Sequence, residues 1–324
     1  MTSSKLEIFV LSYNRAEYLS GCLRSILNQT FTDFSVTVLD NHSTQDIASV
    51  VGSFQDNRIR LIVNPINIGG LANWMQAHDM ASADYMMIFH DDDCMSPRML
   101  ERQIQLFEIY PNLSQVSAGV NFVYQRERML DFNDTDDLQY KTFETPSALV
   151  HGYLFDKEGF SFGSIMYRTR LAKQARLDIE RFANVADRPY VLAVTAFGPF
   201  VRMSRPIYNV RVHSGQDSGT GATWNYLNEI ELGRYYLEIT RQSTTRPLHR
   251  AVMAMLFGNY IVRQPRGPLI EWLKALKERQ MLYWDDVIVL LPYYLLRTIL
   301  KRLIMRLVPD KYYQNLKSRI RGTY

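Results

Sequence analysis

Through about residue 110, short apolar runs alternate with longer stretches in which apolar residues recur three and four positions apart. The first pattern fits strands and the second fits helices with one buried stripe. Strands are expected at Leu6 to Leu11, Phe34 to Asp40, Ile59 to Val63 and Tyr85 to His90. Helices are expected between them, at Ala16 to Asn28, Gln45 to Phe54 and Leu71 to Ala81, with Leu19, Leu23, Ile26 and Leu27 marking the buried face of the first. This alternation predicts an α/β fold built on a mostly parallel, doubly wound sheet. Ser96-Pro97 is a helix-start signal, because serine caps and proline fits the first helical position, so a helix from Pro97 to about Tyr110 should follow.

The pattern changes further along the chain. Arg126 to Pro146 is polar and acidic with little periodicity, and reads as a loop excursion. Beyond about residue 222, TWNYLNEIELGRYYLEITRQ, RAVMAMLFGNYIVRQ and LIEWLKALKERQ read as helices. The expected division is therefore an α/β domain over residues 1–220 and a helical region over 221–324. Within that region, Val287 to Leu296 is apolar but interrupted by Pro292, too short for the ~30 Å hydrocarbon core. From Arg297 onward, Ile299, Leu300, Leu303, Ile304, Leu307 and Val308 fall on one helical face and Arg297, Lys301, Arg302 and Arg306 on the other. Such a basic amphipathic helix suits an anionic membrane surface; the plainer alternative is a helix packed on the rest of the chain with its charges in water.

Composition narrows the class. With 324 residues and 47% apolar content the chain can bury a full core. Two cysteines, Cys22 and Cys94, supply neither a disulfide framework nor a zinc site, which fits a reducing compartment. The opening MTSSKLEIFVLSYN has no secretory leader pattern, so a cytoplasmic location is expected. The net charge of +4 hides an asymmetry: residues 265–324 carry 12 basic and 5 acidic side chains, against 25 and 28 before them. The basic excess belongs to the tail, and no nucleic-acid partner is expected.

In an open α/β sheet, ligands sit beyond the carboxyl ends of the strands. Those positions are polar here: Ser12-Tyr13-Asn14-Arg15, Asp40-Asn41-His42-Ser43, Asn64 to Gly70, and His90-Asp91-Asp92-Asp93. Three consecutive aspartates repel one another unless a cation neutralises them, and Mg²⁺ or Mn²⁺ prefers carboxylate oxygen while sharing itself with substrate phosphates. The alternative is a solvated acidic turn ahead of the helix at Pro97. Asp40 could bond a base or ribose and Tyr13 offers a ring for stacking, although Asp-Asn-His-Ser is also ordinary turn chemistry. Gly69-Gly70 allows close backbone approach but lacks dinucleotide or P-loop spacing.

Taken in order, Ser12-Tyr13-Asn14-Arg15, Asp40-x-x-Ser43, Asn67-x-Gly69, and Asp91-Asp92-Asp93 followed by Pro97 resemble the motifs of family 2 glycosyltransferases of GT-A fold. Val185-Ala186-Asp187 and Tyr208-Asn209-Val210-Arg211-Val212-His213, with Gln216 and Ser218, resemble that family's catalytic-base region and closing arginine-histidine motif. The likeness spans roughly residues 5 to 218.

The resemblance implies a metal-dependent, inverting glycosyltransferase with a nucleotide-sugar donor, a UDP-sugar by expectation, and a glycan or lipid-linked glycan acceptor. It implies a donor pocket of Ser12, Tyr13, Asn14, Arg15, Asp40, Asn67, Gly69, Asp91, Asp92 and Arg211. Asp91, Asp93 and His213 are the implied ligands of Mn²⁺ or Mg²⁺, and Asp187 the implied base. O-antigen or capsule synthesis on the inner face of the cell membrane is the implied setting. Two departures stand out, since His90 and Ala186 occupy positions where many relatives carry aspartate and glutamate. Phe160 and Phe162 lie where relatives contact sugar, although aromatics at this density usually form core. The rival classes are a non-catalytic nucleotide- or carbohydrate-binding protein of the same fold, and a nucleotidyltransferase, for which the expected basic phosphate loop near the first strand is absent.

Overall fold

A computed structural model of the chain describes residues 4–124, 128–132, 138–156, 158–213, 225–240, 246–263 and 269–282, together with positions 292 and 296. All of the tail helix expected from Arg297 lies outside these residues, as do Gln216 and Ser218. The described chain divides into two compact units. The first comprises residues 1–145, 159–177 and 190–212, and the second comprises 146–158, 178–189 and 213–324.

The first unit is organised by a nine-stranded sheet. Strands β1 (Leu6–Ser12), β2 (Phe34–Asp40), β3 (Ile59–Val63) and β4 (Tyr85–His90) are linked by helices α1 (Ala16–Leu27), α2 (Ile47–Gly52) and α3 (Gly70–Met80). They pair in parallel in the order β3-β2-β1-β4. Ile8, Val10, Val36, Val38, Met87 and Phe89 are buried on this sheet with Leu19, Leu23 and Ile26 of α1, each apolar side chain removed from water contributing about 1.5–3 kcal/mol. The expected elements therefore stand with small shifts at their ends: β1 runs on to Ser12, α3 spans one residue earlier than expected at both ends, and α1 and α2 are shorter. Asp46, not Gln45, starts α2, because its carboxylate accepts the Ser49 N–H at 2.9 Å, while Gln45 Oε1 accepts the Ala16 N–H at 2.8 Å.

Beyond β4 the sheet becomes mixed. The two-residue β5 (Cys94–Met95) precedes α4 (Met99–Ile109), which starts two residues later than the Ser96-Pro97 signal indicates. Strands β6 (Gln115–Val123), β7 (Tyr140–Phe143), β8 (Ile165–Arg168) and β9 (Phe200–Arg211) complete the sheet. β8 is antiparallel to both β4 and β6, β6 runs parallel to β9, and β5 and β7 are antiparallel to β9. The excursion expected over 126–146 thus contains a strand, β7, held by ladder bonds to β9. The β6–β9 register shifts around Gly119, where a side chain would collide with the Arg205 carbonyl. The short helix α6 (Thr169–Ala172) also belongs to this unit.

The second unit is helical among its described residues, with α5 (Pro146–Phe155), α7 (Ile179–Phe182), α9 (Tyr226–Ile239), α10 (Arg246–Arg263) and α11 (Leu269–Glu278). The unit boundary falls inside α8 (Asp187–Thr195). Arg181 of α7 binds Glu231 and Glu238 of α9 at 2.7 and 2.9 Å, and Trp272 of α11 packs between Phe257 and Tyr260 of α10. Among the described residues no helix is long and apolar enough to cross a membrane.

Candidate functional site

Sheet register assembles the site. Ser12 pairs with Asp40, Asp40 with Val63, and Leu11 with His90, so four parallel strands end at one edge of the sheet. Because β2 and β3 extend to one side of β1 and β4 to the other, the strand order reverses between β1 and β4, where open α/β sheets form a ligand crevice. Ser12, Tyr13, Asn14, Arg15, Asp40, Asn67, Gly69, Asp91, Asp92, Asp93 and Arg211 all belong to this unit. Asp187, the first residue of α8, and His213 belong to the second.

The three aspartates are all buried. Asp91 accepts the Tyr13 N–H and one Arg15 N–H, each at 3.2 Å, and the same guanidinium nitrogen lies 3.3 Å from Asp92. Arg15 therefore neutralises part of the charge for which the sequence suggested a metal or a solvated turn. Burial still pushes the Asp91 carboxyl up to about 6, against the lowering effect of Arg15.

Asp93 has a separate set of partners. The β5–β9 pairing sets Met95 opposite Tyr208 and Cys94 opposite Asn209. Asp93 accordingly meets the end of β9: it accepts the Tyr208 hydroxyl and the Arg211 N–H at 3.0 Å, and lies 3.2 Å from His90 Nδ1. Burial alone would lower the His90 pKa, but the hydrogen bond and charge of Asp93 outweigh it and raise it to about 9. Arg211 binds the Asp92 carbonyl through Nε at 3.0 Å and lies over the Tyr18 ring at 4.4 Å.

His90, Asp92 and Asp93 present one nitrogen and two carboxylate oxygens within 4.8 Å of one another. That donor chemistry suits Mn²⁺ or Mg²⁺. The cluster shares Asp93 with the set inferred from sequence but contains His90 in place of Asp91 and His213. Asp91 is instead engaged by Arg15 and Tyr13.

Asp40 anchors the turn beyond β2 by accepting the Ser43 N–H at 3.1 Å and the Ser43 hydroxyl. Ser43 Oγ in turn accepts the Asn14 N–H at 2.8 Å, and Asn14, in the left-handed region at φ 53°, accepts the Thr44 N–H at 2.7 Å. Gly69 has φ 84°, a conformation that favours glycine, and donates to the Asn67 side chain at 2.9 Å. Tyr13 is 44% exposed, which leaves its ring open to stacking.

Phe162 stacks on the buried Trp74 at 5.1 Å, and Phe160 packs on Phe200 at 5.6 Å, so both rings make core contacts. Cys22 and Cys94 are buried and protonated, with burial raising Cys94 to about 12, which argues against a thiolate nucleophile. Sequence reasoning assigned no role to Tyr208, Asn41, Asn64 or Asn73. A signal was present for Tyr208, which follows the core residue Ile207, and for Asn73, which precedes the core residue Trp74.

Residues 7–164 match the profile described as glycosyl transferase family 2. This segment carries the family 2 glycosyltransferase domain. The matched segment contains every strand end of the crevice, whereas Asp187, Arg211 and His213 lie beyond it. The chain is 26% identical over 182 residues to an uncharacterized glycosyltransferase of Methanocaldococcus jannaschii, covering 55% of this chain and 60% of that one. It is 35% identical over 92 residues to the GalNAc(5)-diNAcBac-PP-undecaprenol beta-1,3-glucosyltransferase of Campylobacter jejuni, covering 28% of this chain and 30% of that one. The chain thus spans less than two thirds of the length of either relative. Residues 1–349 of S. aureus TarS, crystallised with UDP-GlcNAc, superpose with a TM-score of 0.62 at 16% identity, covering 88% of this chain and 84% of that one. The shared architecture is the GT-A fold.

Proposed function

We propose that this family 2 chain is an inverting glycosyltransferase that moves a sugar from a nucleotide-diphosphate donor, a UDP-sugar, to a glycan acceptor in cell-surface polysaccharide synthesis. The observation that carries the reading is the register of β1 to β4, which gathers Asp40 and the His90–Asp93 run at the switch point of the sheet, within the family segment. UDP-GlcNAc in the superposed TarS crystal supports the donor class.

In this reading Tyr13, Asp40 and Asn67 hold the base and ribose. Arg15 orients Asp91 and Asp92, leaving Asp91 beside the ribose. His90, Asp92 and Asp93 would hold Mn²⁺ or Mg²⁺, with Asp93 fixed in orientation by Tyr208 and Arg211. When bound, the cation would neutralise the departing diphosphate. The sequence motif adds His213 as a further ligand and Arg211 as a phosphate contact. Asp187 takes the acceptor hydroxyl proton, and a single displacement with one base inverts the anomeric centre.

The acceptor proposed is a glycan, lipid-linked in the simplest case, which the name of the Campylobacter jejuni relative supports. The basic amphipathic tail would hold the protein at the cytoplasmic face of the membrane.

A melting-temperature screen of UDP-, GDP-, dTDP- and CMP-sugars with Mn²⁺ tests the donor site, because a ligand that binds the native state raises its stability. A rise with UDP-sugars that disappears in EDTA is expected. No shift with any nucleotide-sugar would contradict the reading.

A further inference from the structure

Beneath the strand-three end lies a chain of buried side-chain amides whose directions are all fixed by backbone groups. Asn73 Nδ2 donates to the Leu39 carbonyl at 3.2 Å, which turns its Oδ1 toward Asn64 Nδ2 at 3.1 Å. Asn64 Nδ2 also donates to Asn41 Oδ1 at 3.1 Å, and that oxygen accepts the Ile68 N–H at 3.0 Å. Asn41 Nδ2 then donates to Asn67 Oδ1 at 2.8 Å, the same oxygen that accepts the Gly69 N–H.

Amide orientation is ordinarily ambiguous, but here a carbonyl at one end and two N–H groups at the other permit only one set of directions. Asn41, Asn64 and Asn73 are buried, whereas Asn67 is exposed. The outcome is an exposed carboxamide whose oxygen is occupied. Among the described residues its N–H₂ has no acceptor. Asp40, which precedes Asn41, commits Oδ1 to Ser43, and its Oδ2 makes no bond to the described residues.

We infer that Asn73, Asn64 and Asn41 are positioning residues that hold Asn67 as an obligate hydrogen-bond donor beside the Asp40 acceptor, so that the site selects bases with an imide-type edge. Such an edge sets an N–H next to a carbonyl, as in uracil, thymine or guanine. Cytosine and adenine reverse that polarity, setting a lone-pair nitrogen against the carboxylate and an amino group against the amide. The buried Asp40 carboxylate, left mispaired, makes this discrimination larger than the gain from one extra contact. The inference rests on the proposed nucleotide site and adds to it the residues that set its base preference.

The test is calorimetric titration of the full-length chain with UDP and CDP in Mn²⁺, two ligands of equal size that share the diphosphate. UDP should bind at least about tenfold tighter, the equivalent of one mispaired polar group. Asn67→Asp keeps the acceptor oxygen for Asn41 and Gly69 but removes the donor, so the UDP/CDP ratio should fall about tenfold through weaker UDP binding. Asn73→Leu, which touches no nucleotide, should lower the same ratio while CDP affinity stays constant. A purely structural role would weaken both ligands alike. If Asn73→Leu does not fold, Asn73→Ser, too short to reach Asn64, takes its place. An unchanged ratio in a folded Asn73 variant or in Asn67→Asp overturns the relay. Equal binding of UDP and CDP by the unaltered chain overturns it too and leaves the nucleotide site standing, whereas binding of neither removes both.

Discussion

Tyr208 donates its hydroxyl to Asp93 across 115 residues of sequence, joining the final third of the last strand to the metal-type cluster at the end of the fourth. The bond lies in a wholly buried setting, and Gly163 is packed so closely against it that a Cβ there would collide with the Tyr208 hydroxyl and crowd His90. Tyr208→Phe keeps the ring and removes one donor, so it should cost about 1 kcal/mol of stability. It should also weaken Mn²⁺ binding by about 10-fold or more, as loss of a group that orients a ligand does. A Mn²⁺ titration of the folded variant checks this, and unaltered affinity would show that Asp93 holds its position without the tyrosine.

The Asp91 carboxyl gives a pH signature in the metal-free chain. Its pKa of about 6 lies above the ordinary 3.8, so the native state binds its proton more tightly than the unfolded state. This group's contribution is greatest below about pH 4 and is lost as pH rises through 6, an effect of roughly 3 kcal/mol. Asp91→Asn removes the effect. The melting-temperature difference, variant minus wild type, should therefore grow between pH 5 and pH 7.5 in EDTA, and a constant difference would assign Asp91 an ordinary pKa.

Much of this site was legible in the sequence because strand ends announce themselves as polar residues after apolar runs. Asp40 and the Asp91–Asp93 run were readable for that reason. β6 and β9 were not, because Gln115, Ser117 and Asn209 are buried polar residues and Pro206 interrupts the last strand. The partner of Asp93 could not be read either, since it depends on the β5–β9 pairing over a long sequence separation. Compensation of Asp91 and Asp92 by Arg15 could not be read for the same reason, because it is a tertiary contact.

If Asp187 is the base, Asp187→Asn should lower kcat by about 10²-fold or more while donor affinity holds, because only the proton-accepting step is lost. Steady-state kinetics alongside UDP binding separates the two quantities. A variant with wild-type kcat would pass the role to another carboxylate.

The tail predicts salt-sensitive membrane binding. Each basic residue near an anionic surface contributes about 1 kcal/mol, and the Debye length shrinks from ~10 Å at 0.1 M to ~3 Å at 1 M salt. The full chain should sediment with anionic liposomes at low salt, and a chain ending before Val287 should not. Identical partitioning of the two would make the helix packing material.

Turnover of the donor identified by the melting screen reports on metal-assisted sugar transfer from a nucleotide donor at the strand-end crevice. With Mn²⁺ and a glycan acceptor, the product observed by NMR should carry the anomeric configuration opposite to that of the donor. EDTA should stop the reaction, and Asp93→Asn should reduce it by about 10²-fold or more, given the metal's electrostatic role. Full turnover in excess EDTA would contradict a metal-assisted reaction, and a product that retains the donor's configuration would contradict a single inverting displacement.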